Sequence, residues 1–155
     1  AALRIADKLK TTDVAFITLG DPMLYSTFSY LVPFLKESVP ELRVKVIPGI
    51  TSFCAASSAL ALPLAESDEK VIIIPAAYDL ESVKEAVAVA DTVVLMKVNR
   101  AFDRILDLLI SLGISEKAFL ITRAGWPGEE VVTDIKTLKG RTLDYFSTLI
   151  VRKNG

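Results

Sequence analysis

Apolar positions along this chain follow two rhythms. Short unbroken runs suit strands buried on both faces, and stretches with apolar residues three and four apart suit helices packed on one side. The first rhythm predicts strands at residues 14–19 (Val-Ala-Phe-Ile-Thr-Leu), 43–47, 71–74, 92–97, 118–122, 130–133 and 145–151. The second predicts helices at residues 1–10 (Leu3, Ala6 and Leu9 on one stripe), 27–36, 52–60, 80–89 and 101–112. Punctuation supports these bounds. Ser26 and Thr27 are good caps for the helix that follows them, Asp79 can cap the helix at residue 80, and Gly113 stops the helix carrying Phe102, Ile105, Leu106 and Leu109. Pro33 falls inside the second helix and is expected to kink it or mark its middle.

Strands and helices alternate as far as residue 122, after which only strands follow, which predicts an α/β protein whose later part holds a mixed sheet with flanking helices. Residues 62–69 change from apolar (Leu-Pro-Leu-Ala) to acidic (Glu-Ser-Asp-Glu) and make the best boundary in the chain. Two domains are expected, residues 1–66 and 67–155.

Composition sharpens this picture. With 155 residues, 52% of them hydrophobic, and a mean hydropathy of +0.45, the chain has ample material for sheets covered on both faces or for a large subunit interface. No apolar run is long enough to span a bilayer, since the most apolar region, residues 54–65, contains Ser57, Ser58 and Pro63. No membrane association is expected. The net charge of −1, from 18 basic and 19 acidic residues spread along the chain, leaves no footprint for nucleic acid. One cysteine, Cys54, excludes an internal disulfide and is compatible with the cytoplasm; set in a small-residue helix, it reads as a packing residue.

The absence of histidine narrows the chemistry most. Imidazole-dependent triads and the usual zinc sites are excluded, and no metal is expected. Reaction must depend on carboxylates, Lys, Tyr, backbone groups or a reactive cosubstrate. The candidate positions are the two strand-to-helix turns, Gly20-Asp21-Pro22 and Pro48-Gly49-Ile50-Thr51-Ser52, because ligands of α/β sheets gather at carboxyl ends of strands.

Thr18-Leu19-Gly20-Asp21-Pro22, Pro48-Gly49-Ile50-Thr51-Ser52, Leu95-Met96-Lys97 and Gly125, in that order, resemble the tetrapyrrole methylase family. Residues 20–28 (Gly-Asp-Pro-Met-Leu-Tyr-Ser-Thr-Phe) and 94–100 (Val-Leu-Met-Lys-Val-Asn-Arg) look most like its precorrin-2 or cobalt-factor II C-20 methyltransferases. The family's opening strand and its Gly-x-Gly-Pro-Gly-Asp loop have no counterpart here. The resemblance therefore implies a two-domain architecture whose first domain is incomplete, residues 1–66 being its later half and 67–155 the second domain.

The same resemblance implies S-adenosylmethionine as cosubstrate, bound between the domains, with S-adenosylhomocysteine as product. Leu19, Gly20, Asp21 and Leu24 would line it, Thr51 and Ser52 would hold its carboxylate end, and Met96 and Gly125 would meet its adenosine. It further implies a tetrapyrrole substrate, precorrin-2 or cobalt-factor II, methylated at C-20 in cobalamin synthesis, and a homodimer. A methylsulfonium is already activated, so alignment replaces an enzyme nucleophile and the missing histidine is no obstacle. No catalytic residue is assigned.

Plainer readings stand beside these. Gly20-Asp21-Pro22 can be an ordinary turn in which Asp21 bonds its own backbone. Thr51 and Ser52 can be helix caps and Met96 a core strand residue, while Tyr25 fits either a cleft wall or a core. Lys97, Arg100 and Arg123 suit solvated surface as well as steering of an acidic substrate, and Trp126 is a loop anchor or an interface residue. At the level of function, the alternatives are another enzyme of this fold (sirohaem-pathway, diphthine synthase or ribosomal RNA methyltransferase) and a non-catalytic binding or dimerisation fragment.

Overall fold

The computed structural model describes residues 2–75 and 77–154; Ala1, the first residue of the expected opening helix, lies outside them. The chain divides into two compact units, Ala1–Thr51 and Ser52–Gly155.

In the first unit, α1 (Ala2–Leu9) packs on α2 (Phe28–Ser38). Burial centres on Ala6 and Leu35, while Leu3 is exposed, so the apolar stripe of α1 is only partly used. Ser26 starts α2 by accepting the Phe28 N–H on its Oγ at 3.2 Å, whereas Thr27 makes no capping bond. Pro33 sits in the middle of α2.

The strands expected at residues 14–19 and 43–47 are not formed: neither stretch joins a hydrogen-bonded ladder. A strand is defined by its neighbour, and the described residues of this unit supply no ladder partner to either stretch. Their side chains are left largely uncovered, with Ile17 90% and Ile47 73% exposed. Phe16 alone finds a ring partner, Phe28, at a centroid distance of 5.4 Å.

The second unit realises the expected mixed sheet. Its strands are β1 (Val71–Ile74), β2 (Thr92–Met96), β3 (Ala118–Thr122), β4 (Glu130–Val132) and β5 (Ser147–Arg152), in the spatial order β1-β2-β5-β3-β4. β1 and β2 are parallel and joined by α4 (Leu80–Val89), whereas β5 runs antiparallel to both β2 and β3. Asp79 caps α4 as expected, accepting from the Glu81 N–H at 3.1 Å and the Ser82 hydroxyl at 2.6 Å. These bonds hold its carboxyl below the usual range, the Ser82 hydroxyl contributing most. α5 (Phe102–Ser111) ends where Gly113 turns left-handed, at φ +70°. There the Ile114 N–H reaches Leu109 O and the Gly113 N–H reaches Ile110 O, both at 3.0 Å, the paired bonds that close a helix with glycine.

Alternation along the strands distributes the core to both faces. Val93, Leu95, Leu120, Leu149 and Val151 pack with α4 and α5, through Val83, Ile105, Leu106 and Leu109. Val94, Ile121 and Ile150 face the other way, against Phe53 and Ala56 of α3 (Ser52–Leu60). This two-sided cover accounts for the apolar strands of the second unit, while the first unit leaves large apolar side chains such as Ile17 and Ile47 exposed. Cys54, expected as a packing residue, is exposed instead, because Phe53 and Ala56 occupy the inward face of α3.

The acidic stretch at residues 66–69 is tied to the sheet. Arg152 extends β5 one residue past the expected strand and is buried, with its guanidinium on Glu66 (2.6 Å), Glu69 (3.1 Å) and the Pro63 carbonyl. Burying this charge is tolerable because each arm of the fork meets an acceptor.

Shortening a fully buried side chain of the central strand, Leu149→Ala, should cost roughly 2–5 kcal/mol, read from urea unfolding with Trp126 fluorescence as the probe. The exposed Val89→Ser, in the same unit, should stay within about 0.5 kcal/mol of the parent; equal midpoints for both variants would contradict this arrangement.

Candidate functional site

The two glycine turns of the first unit interlock. Gly20 adopts φ +75°, a left-handed conformation that reverses the chain after residues 14–19. Asp21 then folds its carboxylate back, Oδ1 accepting the Met23 N–H at 2.8 Å, which is the self-bonded turn expected of Asp-Pro. Its second oxygen does more: Oδ2 accepts the Gly49 N–H at 2.9 Å, from a residue 28 positions along the chain. The amide of Gly49, and after it that of Met23, hold the Asp21 carboxyl below the usual carboxylate range, against a smaller opposing effect of desolvation.

Gly49 is required there for space. A Cβ on it would lie 2.2 Å from Gly20 O and 3.1 Å from Gly20 C. A Cβ on Gly20 would approach Ile50 O at 3.7 Å and the Thr51 Cα at 3.9 Å. Thus Gly20, Asp21, Gly49, Ile50 and Thr51 form one cluster of backbone, with Leu19 and Leu24 exposed beside it in sequence. Tyr25 takes φ +52° and is 52% exposed, so it belongs to no core.

In the second unit the sheet gathers the other expected positions along one edge. β2 and β3 both run against β5, so their carboxyl ends coincide: Met96 and Ile121 each pair with Thr148, and Thr122 pairs with Ser147. Met96 is half-buried and packs beside Val94 and Ile150. Immediately beyond the strand ends the chain turns left-handed, at Lys97 (φ 53°), Arg123 (φ 55°) and Gly125 (φ 76°). The Gly125 N–H donates to Glu129 at 2.6 Å, and the space a Cβ would take on Gly125 is open. Ser52 begins α3 on the exposed side.

Of the expected residues, Gly20, Asp21 and Thr51 are thus brought together within the first unit, and Met96 and Gly125 lie at one sheet edge of the second. Sequence reasoning missed the buried hydroxyls at that edge, where Thr122 Oγ1 and Ser147 Oγ lie 3.0 Å apart. Hydroxyl residues at the end of one apolar strand and the start of another were the available signal. The weight on Gly49 was signalled by its place after Pro48. Arg123 meets Asp144 at 3.6 Å and Trp126 lies against Phe146, with ring centroids 5.9 Å apart. Trp126 therefore does anchor its loop, although 47% of it remains exposed. Among the described residues no cluster of acidic or cysteine side chains suits a metal ion, and no helix is long and apolar enough to cross a membrane.

A model of the tetrapyrrole (corrin/porphyrin) methylases matches residues 1–139. The chain belongs to this family. Both glycine turns and the β2 and β3 edge fall inside the matched region. The chain is 35% identical over 154 residues to a cobalt-precorrin-2 C(20)-methyltransferase of Salmonella typhimurium, a match covering 99% of this chain and 64% of that protein. A probable cobalt-precorrin-2 C(20)-methyltransferase of Methanocaldococcus jannaschii is 47% identical over 85 residues, 55% of this chain and 35% of that protein. The chain therefore spans less than two thirds of the length of these relatives.

Among solved structures, the methyltransferase CobJ superposes with a TM-score of 0.68 over 97% of this chain and 67% of its own, at 20% identity. The uroporphyrin-III C-methyl transferase of Thermus thermophilus, complexed with S-adenosyl homocysteine, gives 0.58 over 84% of this chain and 61% of its own, at 22% identity. These likenesses establish the methylase fold.

Because Asp21 accepts two amide bonds when ionised, its contribution to stability is present above the unfolded carboxylate pKa, about 3.9. It is lost as pH falls through the lower folded value. The amide resonance of Gly49 should titrate with a midpoint below about 3.9, and Asp21→Asn should abolish that titration; a midpoint at or above it would contradict the bridge.

Proposed function

We propose that this tetrapyrrole methylase chain carries the S-adenosylmethionine site of a C-methyltransferase acting on C-20 of precorrin-2 or cobalt-factor II in cobalamin synthesis. The observation that carries the reading is the likeness to the Salmonella cobalt-precorrin-2 C(20)-methyltransferase, which extends over 99% of the chain. The S-adenosyl homocysteine held by the Thermus relative supports the cosubstrate.

The residues present fit such a ligand. In the first unit, the left-handed Gly20 and the close approach of Gly49 leave a turn made of backbone, with Leu19 and Leu24 offering apolar surface. We assign Leu19, Gly20, Asp21 and Leu24 to line the cosubstrate, Asp21 through its main chain. Thr51 and Ser52 supply hydroxyls, and the amino end of α3 supplies amides suited to a carboxylate. In the second unit, Met96 at the end of β2 and Gly125, open on the side a Cβ would fill, are assigned to the adenosine.

When bound, the methylsulfonium supplies an electrophilic methyl group, so the protein needs no nucleophile of its own. A chain without histidine is suited to that division of labour, its work being to hold two reactants in line, a contribution of up to about 7–11 kcal/mol in favourable cases. Residues 1–66 are read as the later half of the first methylase domain and 67–155 as the second. A homodimer fits the surplus of exposed apolar side chains, among them Ile17, Ile47 and Ile50.

Calorimetric titration of the 155-residue chain with S-adenosylhomocysteine should show saturable binding at one site, while a folded sample that released no heat would leave only a scaffold. In a methyl-transfer assay of the protein that carries this chain, precorrin-2 or cobalt-factor II should accept the methyl group. Turnover of a different acceptor, with both of these untouched, would overturn the substrate.

A further inference from the structure

Two segments of the first unit that lie far apart in sequence are held together at one point. Both oxygens of the Asp21 carboxylate are engaged there, Oδ1 by the Met23 N–H at 2.8 Å and Oδ2 by the Gly49 N–H at 2.9 Å. The local sequence makes this arrangement specific. Pro22 has no N–H, so the first main-chain donor after Asp21 is that of Met23, and binding it turns Oδ2 outward. Pro48 has no N–H either, so Gly49 presents the first donor of the second turn. The fit around the bridge is tight, since the position of a Gly49 Cβ lies 2.2 Å from Gly20 O and 3.6 Å from the Asp21 Cα.

We propose that Asp21 is a positioning residue of the cosubstrate site, its carboxylate clamping the Gly20 turn to the Pro48-Gly49 turn instead of contacting the ligand. The role rests on the function proposed above, because the clamp matters through the residues it aligns: Leu19 and Gly20 on one turn, Ile50 and Thr51 on the other. The two turns belong to stretches that no ladder holds in register. A charge-assisted pair of bonds from one side chain then does for them what strand pairing does elsewhere in an α/β sheet. Gly49 acts with Asp21 as the other half of the clamp, contributing an amide and the absence of a side chain.

The test has two readouts on the 155-residue chain, one of which needs no ligand. Without ligand, Asp21→Asn and Asp21→Ala should each speed hydrogen exchange at the Gly49 amide by about tenfold or more, with exchange in α2 of the same unit and in β2 and β5 of the other unchanged, which also verifies that both units of the variants fold. With S-adenosylhomocysteine, Asp21→Ala and Gly49→Ala should each weaken binding by about tenfold, and the double variant should be no weaker than the worse single one. Unchanged Gly49 exchange would overturn the clamp. Losses that multiply in the double variant would overturn it too, by showing that the carboxylate meets the ligand independently of Gly49. A parent chain that bound no S-adenosylhomocysteine would remove the functional reading alone, leaving Gly49 exchange to decide the clamp.

Discussion

Strand β5 sets the constraint on which the larger unit depends. All six of its residues are buried, and its backbone is bonded along both edges, to β2 on one side and β3 on the other. A strand so enclosed has no water to satisfy its amides and carbonyls, so both ladders must form together in one register. That register brings the carboxyl ends of β2 and β3 to the same edge, where Met96 and Gly125 are found. It also directs Val94, Ile121 and Ile150 towards α3 while Leu149 and Val151 face α4 and α5. Displacement by one residue would exchange these faces and leave Arg152 without Glu66 and Glu69.

How much of this was legible in the sequence follows from how local each cause is. The helices of the second unit were legible to within a residue or two because caps and periodicity act over a few positions, as at Asp79 and Gly113. Its strands were equally clear, since each finds a partner. The runs at residues 14–19 and 43–47 carry the same apolar signature, yet remain unladdered, because pairing is a property of the neighbour and the run itself does not encode it. The short 3-10 turns at Val98–Arg100, Ser115–Lys117 and Ile135–Leu138 escaped notice because they lack any periodic signal. At the candidate site, Gly20 and the Asp21 self-turn could be read directly. The bond from Asp21 to Gly49 could not, since nothing in either tripeptide names the other.

The two units solve the problem of holding a turn by different means. In the second, a five-stranded sheet fixes the strand ends and leaves left-handed residues, Lys97, Arg123 and Gly125, to carry the chain away. In the first, whose described residues form no ladder, the Asp21 carboxylate and Gly49 tie one turn to the other. The methyl transfer proposed above needs alignment more than reactive groups, and suits a framework of this kind and a composition without imidazole.

The strand order β1-β2-β5-β3-β4 also imposes a schedule on synthesis. β5 leaves the ribosome after the other four strands, although it belongs in the middle of the sheet. Until it arrives, the parallel pair β1-β2 and the hairpin pair β3-β4 each expose an open edge and half a core, with Glu66 and Glu69 awaiting the guanidinium of Arg152. The sheet of the second unit therefore cannot be completed until its last strand is available. The interval before closure is when this apolar chain is most open to mispairing with another copy of itself.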